Sequence, residues 1–106
     1  AAEITKFGTP AFAVVAVMRD KDYDMLLKEI LPFCSGGVFT QVPLLERALT
    51  ASELYKTAQK YLTYNIYCVP DVKGALKLAK EKAEGPIFIF GSLYLASYIK
   101  NIDSTP

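Results

Sequence analysis

The chain contains no histidine. That absence removes His-based triads, imidazole acid–base catalysis and every histidine metal site, and most hydrolase mechanisms go with them. The six glycines stand at 8, 36, 37, 74, 85 and 91, so neither a Gly-x-x-x-x-Gly-Lys-Ser/Thr loop nor a Gly-x-Gly-x-x-Gly turn is present, and with them goes any recognisable cradle for nucleotide phosphates. There are only two cysteines, Cys34 and Cys68, without metal-ligand spacing; a reduced, cytoplasmic protein is expected. No uninterrupted apolar run exceeds residues 11–18, far short of the roughly 20 residues of a membrane-spanning helix, and no charged leader followed by an apolar core opens the chain. Twelve basic and eleven acidic residues leave a formal charge of +1 with neither sign in a block, which disfavours nucleic acid and membrane surfaces as partners.

What is present is enough for one core. In 106 residues about half are apolar, which suits a single domain spanning residues 1–106. Residues 11–18 form a β-branched apolar run that suits a strand covered on both faces. Asp22 can then cap a helix whose apolar positions Tyr23, Leu26, Leu27, Ile30 and Leu31 recur at helical spacing, with Pro32 and Gly36-Gly37 beyond its end. Residues 37–41 read as a second strand. Thr50 and Glu53 have capping-box spacing before a helix carrying Leu54, Ala58, Tyr61 and Leu62. Residues 66–69 read as a third strand, and Pro70-Asp71 opens a helix with Val72, Ala75, Leu76, Ala79 and Ala83 on one stripe. Residues 87–90 make a fourth strand, and Gly91-Ser92 starts a terminal helix to about Asn101. Such alternation predicts an α/β, Rossmann-like fold: a mainly parallel sheet of about four or five strands with helices on both faces. Residues 1–7 read as the end of a helix without a strand before it, so the domain is expected to be truncated at its start.

Ligands of open α/β sheets bind outside the carboxyl ends of the strands. Four segments qualify. Arg19-Asp20-Lys21-Asp22 follows the first strand; Lys21 can meet a carboxylate or phosphate with an acid to orient it, although a solvated turn capped by Asp22, worth about 1 kcal/mol, uses the same residues. After the second strand Arg47 can grip a carboxylate in bidentate fashion, or pair with Glu46 on the surface. Pro70-Asp71 reads first as a helix start. Gly91-Ser92 offers close backbone approach, a hydroxyl and free amides at a helix start, which serves equally as an anion seat or an N-cap. Without histidine neither cysteine has an activating base, and Cys68, inside an apolar strand, is expected to be buried and inert.

Taken in order, Val17-Met18-Arg19-Asp20-Lys21-Asp22, Pro43-Leu44-Leu45-Glu46-Arg47-Ala48-Leu49, Val69-Pro70-Asp71 and Gly91-Ser92-Leu93-Tyr94-Leu95 resemble the carboxy-terminal, glutamate ligase domain of the Mur ligase family, in its folylpolyglutamate synthase/dihydrofolate synthase branch. The resemblance covers residues from about 14 to 100. It implies a domain of an ATP-dependent ligase that joins L-glutamate to folate or dihydropteroate through an acyl phosphate, with ATP and Mg²⁺ bound in the full-length enzyme by a central domain, and with no activity expected of this chain alone. It implies that Ser92 helps hold the incoming glutamate, that Lys21 lines the same cleft in a catalytic role, and that Asp20 and Arg47 contact substrate. The family's opening Asp-Gly-Ala-His-Asn-Pro motif is missing, so the edge facing the nucleotide is incomplete. A Mur-type ligase for another amino acid (peptidoglycan or cyanophycin type) and a free-standing Rossmann-like interaction module are the alternatives.

Overall fold

A computed structural model describes residues 11–42 and 46–91. The expected terminal helix, the segment before the first strand and residues 43–45 lie outside these. The element order is β1 (Ala11–Ala16), α1 (Tyr23–Ile30), a single 3₁₀ turn (Leu31–Phe33), β2 (Cys34–Phe39), α2 (Ala51–Ala58), β3 (Ile66–Cys68), α3 (Val72–Lys82) and β4 (Ile87–Gly91). The described strands form one four-stranded sheet in the order β3-β2-β1-β4, every pair parallel. The fold is the α/β, Rossmann-like one that the alternation of strands and helices predicts.

β1 is the pivot of this arrangement. It has a parallel neighbour on either side and all six residues are buried. Because side chains alternate across a strand, Ala11, Ala13 and Val15 join Leu27 and Ile30 of α1 and Leu54 and Ala58 of α2 in one core. Phe12, Val14 and Ala16 join Val72, Ala75, Leu76 and Ala79 of α3 in the other. Thus α1 and α2 cover one face and α3 the opposite one. The chain steps outward from β1 to β3 on the first face, then crosses beneath the sheet to place β4 on β1's other side, a change of direction and of face together that right-handed crossovers require.

Each helix begins where a short polar side chain satisfies an orphan backbone amide. The Asp22 carboxylate accepts from Met25 N–H at 3.3 Å, Thr50 Oγ1 from Glu53 N–H at 3.2 Å, and the Asp71 carboxylate from Gly74 N–H at 2.8 Å. The Thr50 box is only half built, since the Glu53 side chain turns instead to Arg19.

Several boundaries shift. β2 starts at Cys34 rather than 37, because Gly36 and Gly37 serve close backbone approach within the strand instead of ending the preceding helix. The chain reaches that strand through the 3₁₀ turn, whose first-turn Pro32 needs no amide partner. α2 ends at Ala58, yet Tyr61 and Leu62 still pack on its core, since the amides of Tyr61 and Leu62 both donate to Ala58 O and carry the turn onward. α3 ends at Lys82, with Ala83 as its cap.

Gly36 is fixed by Asn65, which holds a left-handed φ of 58°. The Asn65 side-chain amide donates to Ser35 O at 2.9 Å and the Asn65 backbone carbonyl accepts from Gly37 N–H at 3.1 Å, so Asn65 pins the entrance of β3 to β2. A Cβ at Gly36 would collide with the Asn65 amide nitrogen and backbone oxygen. Gly36→Ala is therefore expected to cost about 1–3 kcal/mol, measured as a lower urea midpoint with an unchanged m-value.

Candidate functional site

The order in which the strands are laid down reverses between β1 and β4, and the crevice of a doubly wound sheet opens at such a reversal, outside the carboxyl ends. Ala16 pairs with Gly91, so both chains leave the sheet side by side. The loop bearing Asp20 and Lys21 therefore starts at one lip of that crevice. Ser92 follows Gly91 in sequence but lies outside the described residues.

Past β1 the backbone pairs with the segment leading into α2. Leu49 N–H donates to Val17 O at 3.0 Å and Arg19 N–H to Arg47 O at 2.7 Å, on either side of an antiparallel bridge between Met18 and Ala48. This short ribbon brings Arg47 to the loop after β1, and an Arg47 guanidinium nitrogen stands 3.7 Å from an Asp20 carboxylate oxygen, with both side chains about three-quarters exposed (74% and 70%). A turn closed by Lys21 N–H to Met18 O at 3.1 Å shapes the loop. Lys21 is exposed and makes no ion pair among the described residues. Asp20 and Arg47 are thus brought together, and Lys21 is the next residue of the same exposed loop. Asp71 lies apart, engaged as the cap of α3.

Three supporting residues had been given no role of their own in the sequence. Thr40 is fully buried, and its hydroxyl donates to Pro70 O at 2.9 Å, tying the exits of β2 and β3 together. Gln41 Oε1 accepts from Ala51 N–H at 3.1 Å, satisfying a second amide at the start of α2. Arg19 pairs with Glu53 at 2.9 Å. An isolated threonine, glutamine or arginine at a strand end carries no local signal of such partners.

An open groove of about 460 Å³ runs between α1 and α2, lined by Arg19, Tyr23, Glu53, Lys56, Thr57 and Lys60. It flanks the α1 and α2 side and does not include Asp20, Lys21 or Arg47. Beside it Asp24 accepts from Lys60 at 2.7 Å and from the Tyr61 hydroxyl at 2.7 Å. These contacts, Lys60 first, hold the Asp24 carboxyl below its usual range, while the bond to Asp24 raises both Lys60 and Tyr61. Among the described residues no three His, Cys, Asp or Glu side chains gather as a metal site. No helix among them is long and apolar enough to cross a membrane.

The cysteines correct the expectation made of them. Cys68, on the short strand at one edge of the described sheet, is exposed, whereas Cys34 is the buried one, its thiol donating to Ile30 O at 3.2 Å. Burial pushes Cys34 up to about 11 and raises Cys68 as well.

Neither protein-family profiles nor characterised protein sequences give a match to this chain. Solved structures do. Folylpolyglutamate synthase of Mycobacterium tuberculosis complexed with ADP and AMPPCP is similar with a TM-score of 0.84 at 20% identity, over 99% of this chain and 26% of that one. A second structure of the same protein, complexed with ADP, gives 0.79 at 18% identity, over 95% and 25%. The class defined is a Rossmann-like α/β domain. In particular, it is the fold of a domain found within folylpolyglutamate synthase, and this chain spans about a quarter of the length of those structures.

Two predictions follow from these geometries. With its pKa depressed in the folded state, Asp24 contributes stability above its ordinary value near 3.8, and loses it as pH falls through the lowered value. Asp24→Asn should accordingly flatten the acid limb of a thermal-midpoint profile below about pH 4, with the limb unchanged if the triad has no weight in solution. A chromogenic disulfide added at pH 8 should titrate Cys68 alone in the native protein and both thiols in denaturant; rapid native labelling of Cys34 would contradict its burial.

Proposed function

We propose that this chain is the amino-acid-binding, carboxy-terminal domain of an ATP-dependent ligase of the folylpolyglutamate synthase/dihydrofolate synthase type, which adds L-glutamate to folate or dihydropteroate. The observation that carries this reading is the fold similarity to folylpolyglutamate synthase over 99% of this chain, which accounts for only 26% of that protein. The ordered strand-end residues support it.

On this reading ATP and Mg²⁺ are bound by a central domain of the full-length enzyme. The part left to this domain is to bind and orient the amino acid. Lys21 supplies an ammonium to a carboxylate, Arg47 a planar guanidinium that can take a second carboxylate in bidentate fashion, and Ser92 a hydroxyl. Asp20 opposes Arg47 at a distance too long for a strong bond, and so holds the guanidinium in reserve at little cost to be overcome. Two cations match a dicarboxylic amino acid, whose amine is then left to attack.

The test is glutamate ligation by the full-length protein. Lys21→Ala and Ser92→Ala should each raise the KM for glutamate at least about tenfold, a loss of roughly 1.4 kcal/mol, with little change in the KM for ATP. The chain alone should ligate nothing. Turnover by the isolated chain, or full activity in both variants, would sink the reading.

A further inference from the structure

We infer that Arg19 is a positioning residue, which couples the loop bearing Asp20 and Lys21 to the segment bearing Arg47 and to α2; the inference rests on the amino-acid-binding reading above. Arg19 is the last residue of the ribbon beyond β1, and its amide donates to the carbonyl of Arg47 at 2.7 Å. Its guanidinium reaches across 34 residues of sequence to Glu53 Oε2 at 2.9 Å. Glu53 is a firm anchor. It lies in the first turn of α2, its own amide is capped by Thr50, the neighbouring Ala51 amide is held by Gln41, and Leu54 and Ala58 are fully buried beneath it. One residue further along, that firmness ends. Asp20, Lys21 and Asp22 are all exposed, and the backbone amide bonds there are local, from Lys21 to Met18 and from Tyr23 to Lys21.

Arg19 therefore stands at the boundary between a ribbon anchored in the core and a loop that is not, with its backbone tied to one candidate residue and its side chain to a helix. Both charges of the pair are about half exposed, at 52% and 48%, so the pair is a weak contributor to folding. Its weight falls on where Lys21 and Asp20 point relative to Arg47, and small displacements of positioned groups are felt in binding and turnover. Arg19 also lines the groove beside Lys56 and Lys60, so a direct contact between its guanidinium and a ligand is the competing role. The two roles part at Glu53. A ligand-contacting arginine has no need of that carboxylate, whereas a positioning arginine is useless without it.

The experiment is a double-mutant cycle in the full-length protein that carries this chain, with glutamate ligation and hydrogen-exchange mass spectrometry over residues 17–23 as readouts. Arg19→Ala and Glu53→Ala should each raise the KM for the amino acid roughly two- to five-fold with a smaller change in kcat. The double variant should be no worse than either, and Arg19→Glu with Glu53→Arg should recover part of the loss. Exchange in residues 17–23 should quicken in both single variants. A silent Glu53→Ala beside an impaired Arg19→Ala would overturn the inference in favour of direct contact, and unchanged exchange in both would overturn it as well. Absence of any ligation by the unaltered protein would instead overturn the ligase reading, and the exchange readout would still decide whether Arg19 positions the loop.

Discussion

Everything in this fold depends on β1 being buried on both faces and paired on both edges. A strand in that position can carry no charge, because an unpaired ion there would cost far more than any single packing contact returns. Its six residues are accordingly all apolar, and two cores grow from it by alternation: small and branched side chains toward α1 and α2, and Phe12 and Val14 toward α3. Each fully buried Val or Phe contributes about 1.5–3 kcal/mol. Losing β1 would remove the floor of both cores at once.

The same constraint decides where chemistry can lie. Charge excluded from the strand reappears as soon as the chain leaves the sheet, and within four residues of Val17 the sequence runs through Arg19, Asp20 and Lys21. Because β4 returns on the far side of β1, this charged exit faces a reversal of strand order and not a flat sheet edge. The antiparallel ribbon to residues 47–49 then adds Arg47 from the other direction. Pairing in the sheet thus gathers residues distant in sequence without any of them being attracted to the others, and the long Asp20–Arg47 contact fits that account.

This division explains which features were legible in the sequence. Periodicity reports burial, so the strands, the helical stripes and the caps Asp22, Thr50 and Asp71 could be read directly, and with them the parallel α/β architecture. Position at strand ends made Asp20, Lys21 and Arg47 visible as candidates. Three kinds of feature escaped. Gly36 and Gly37 read as a helix terminator because what a side chain there would meet is distant in sequence, Asn65 at Gly36 and Ala13 of β1 at Gly37. Burial of Cys68 was inferred from its apolar neighbours, but strand composition does not tell an edge from a centre, and β3 lies at one edge of the described sheet. Arg19, Thr40 and Gln41 hold partners on other elements, and such pairings exist only once the topology does.

The weakness of the ion pairs at the carboxyl edge has a consequence for what the domain can be. A site that must act alone is usually preorganised by buried, short, fully satisfied contacts, and Thr40 to Pro70 is of that kind. Arg47, Asp20 and Lys21 are not: their heads are exposed and held at most loosely. Leaving cations solvated costs nothing while the surface is open, and their value rises when a second surface excludes water, because the same charge acts more strongly in a lower dielectric. An edge with a rigid backbone and solvated charges is therefore suited to being completed by another part of a polypeptide. The chain matches about a quarter of the length of the structures it resembles, and an edge with a firm frame and solvated charges is consistent with the proposed role of a domain that works together with others.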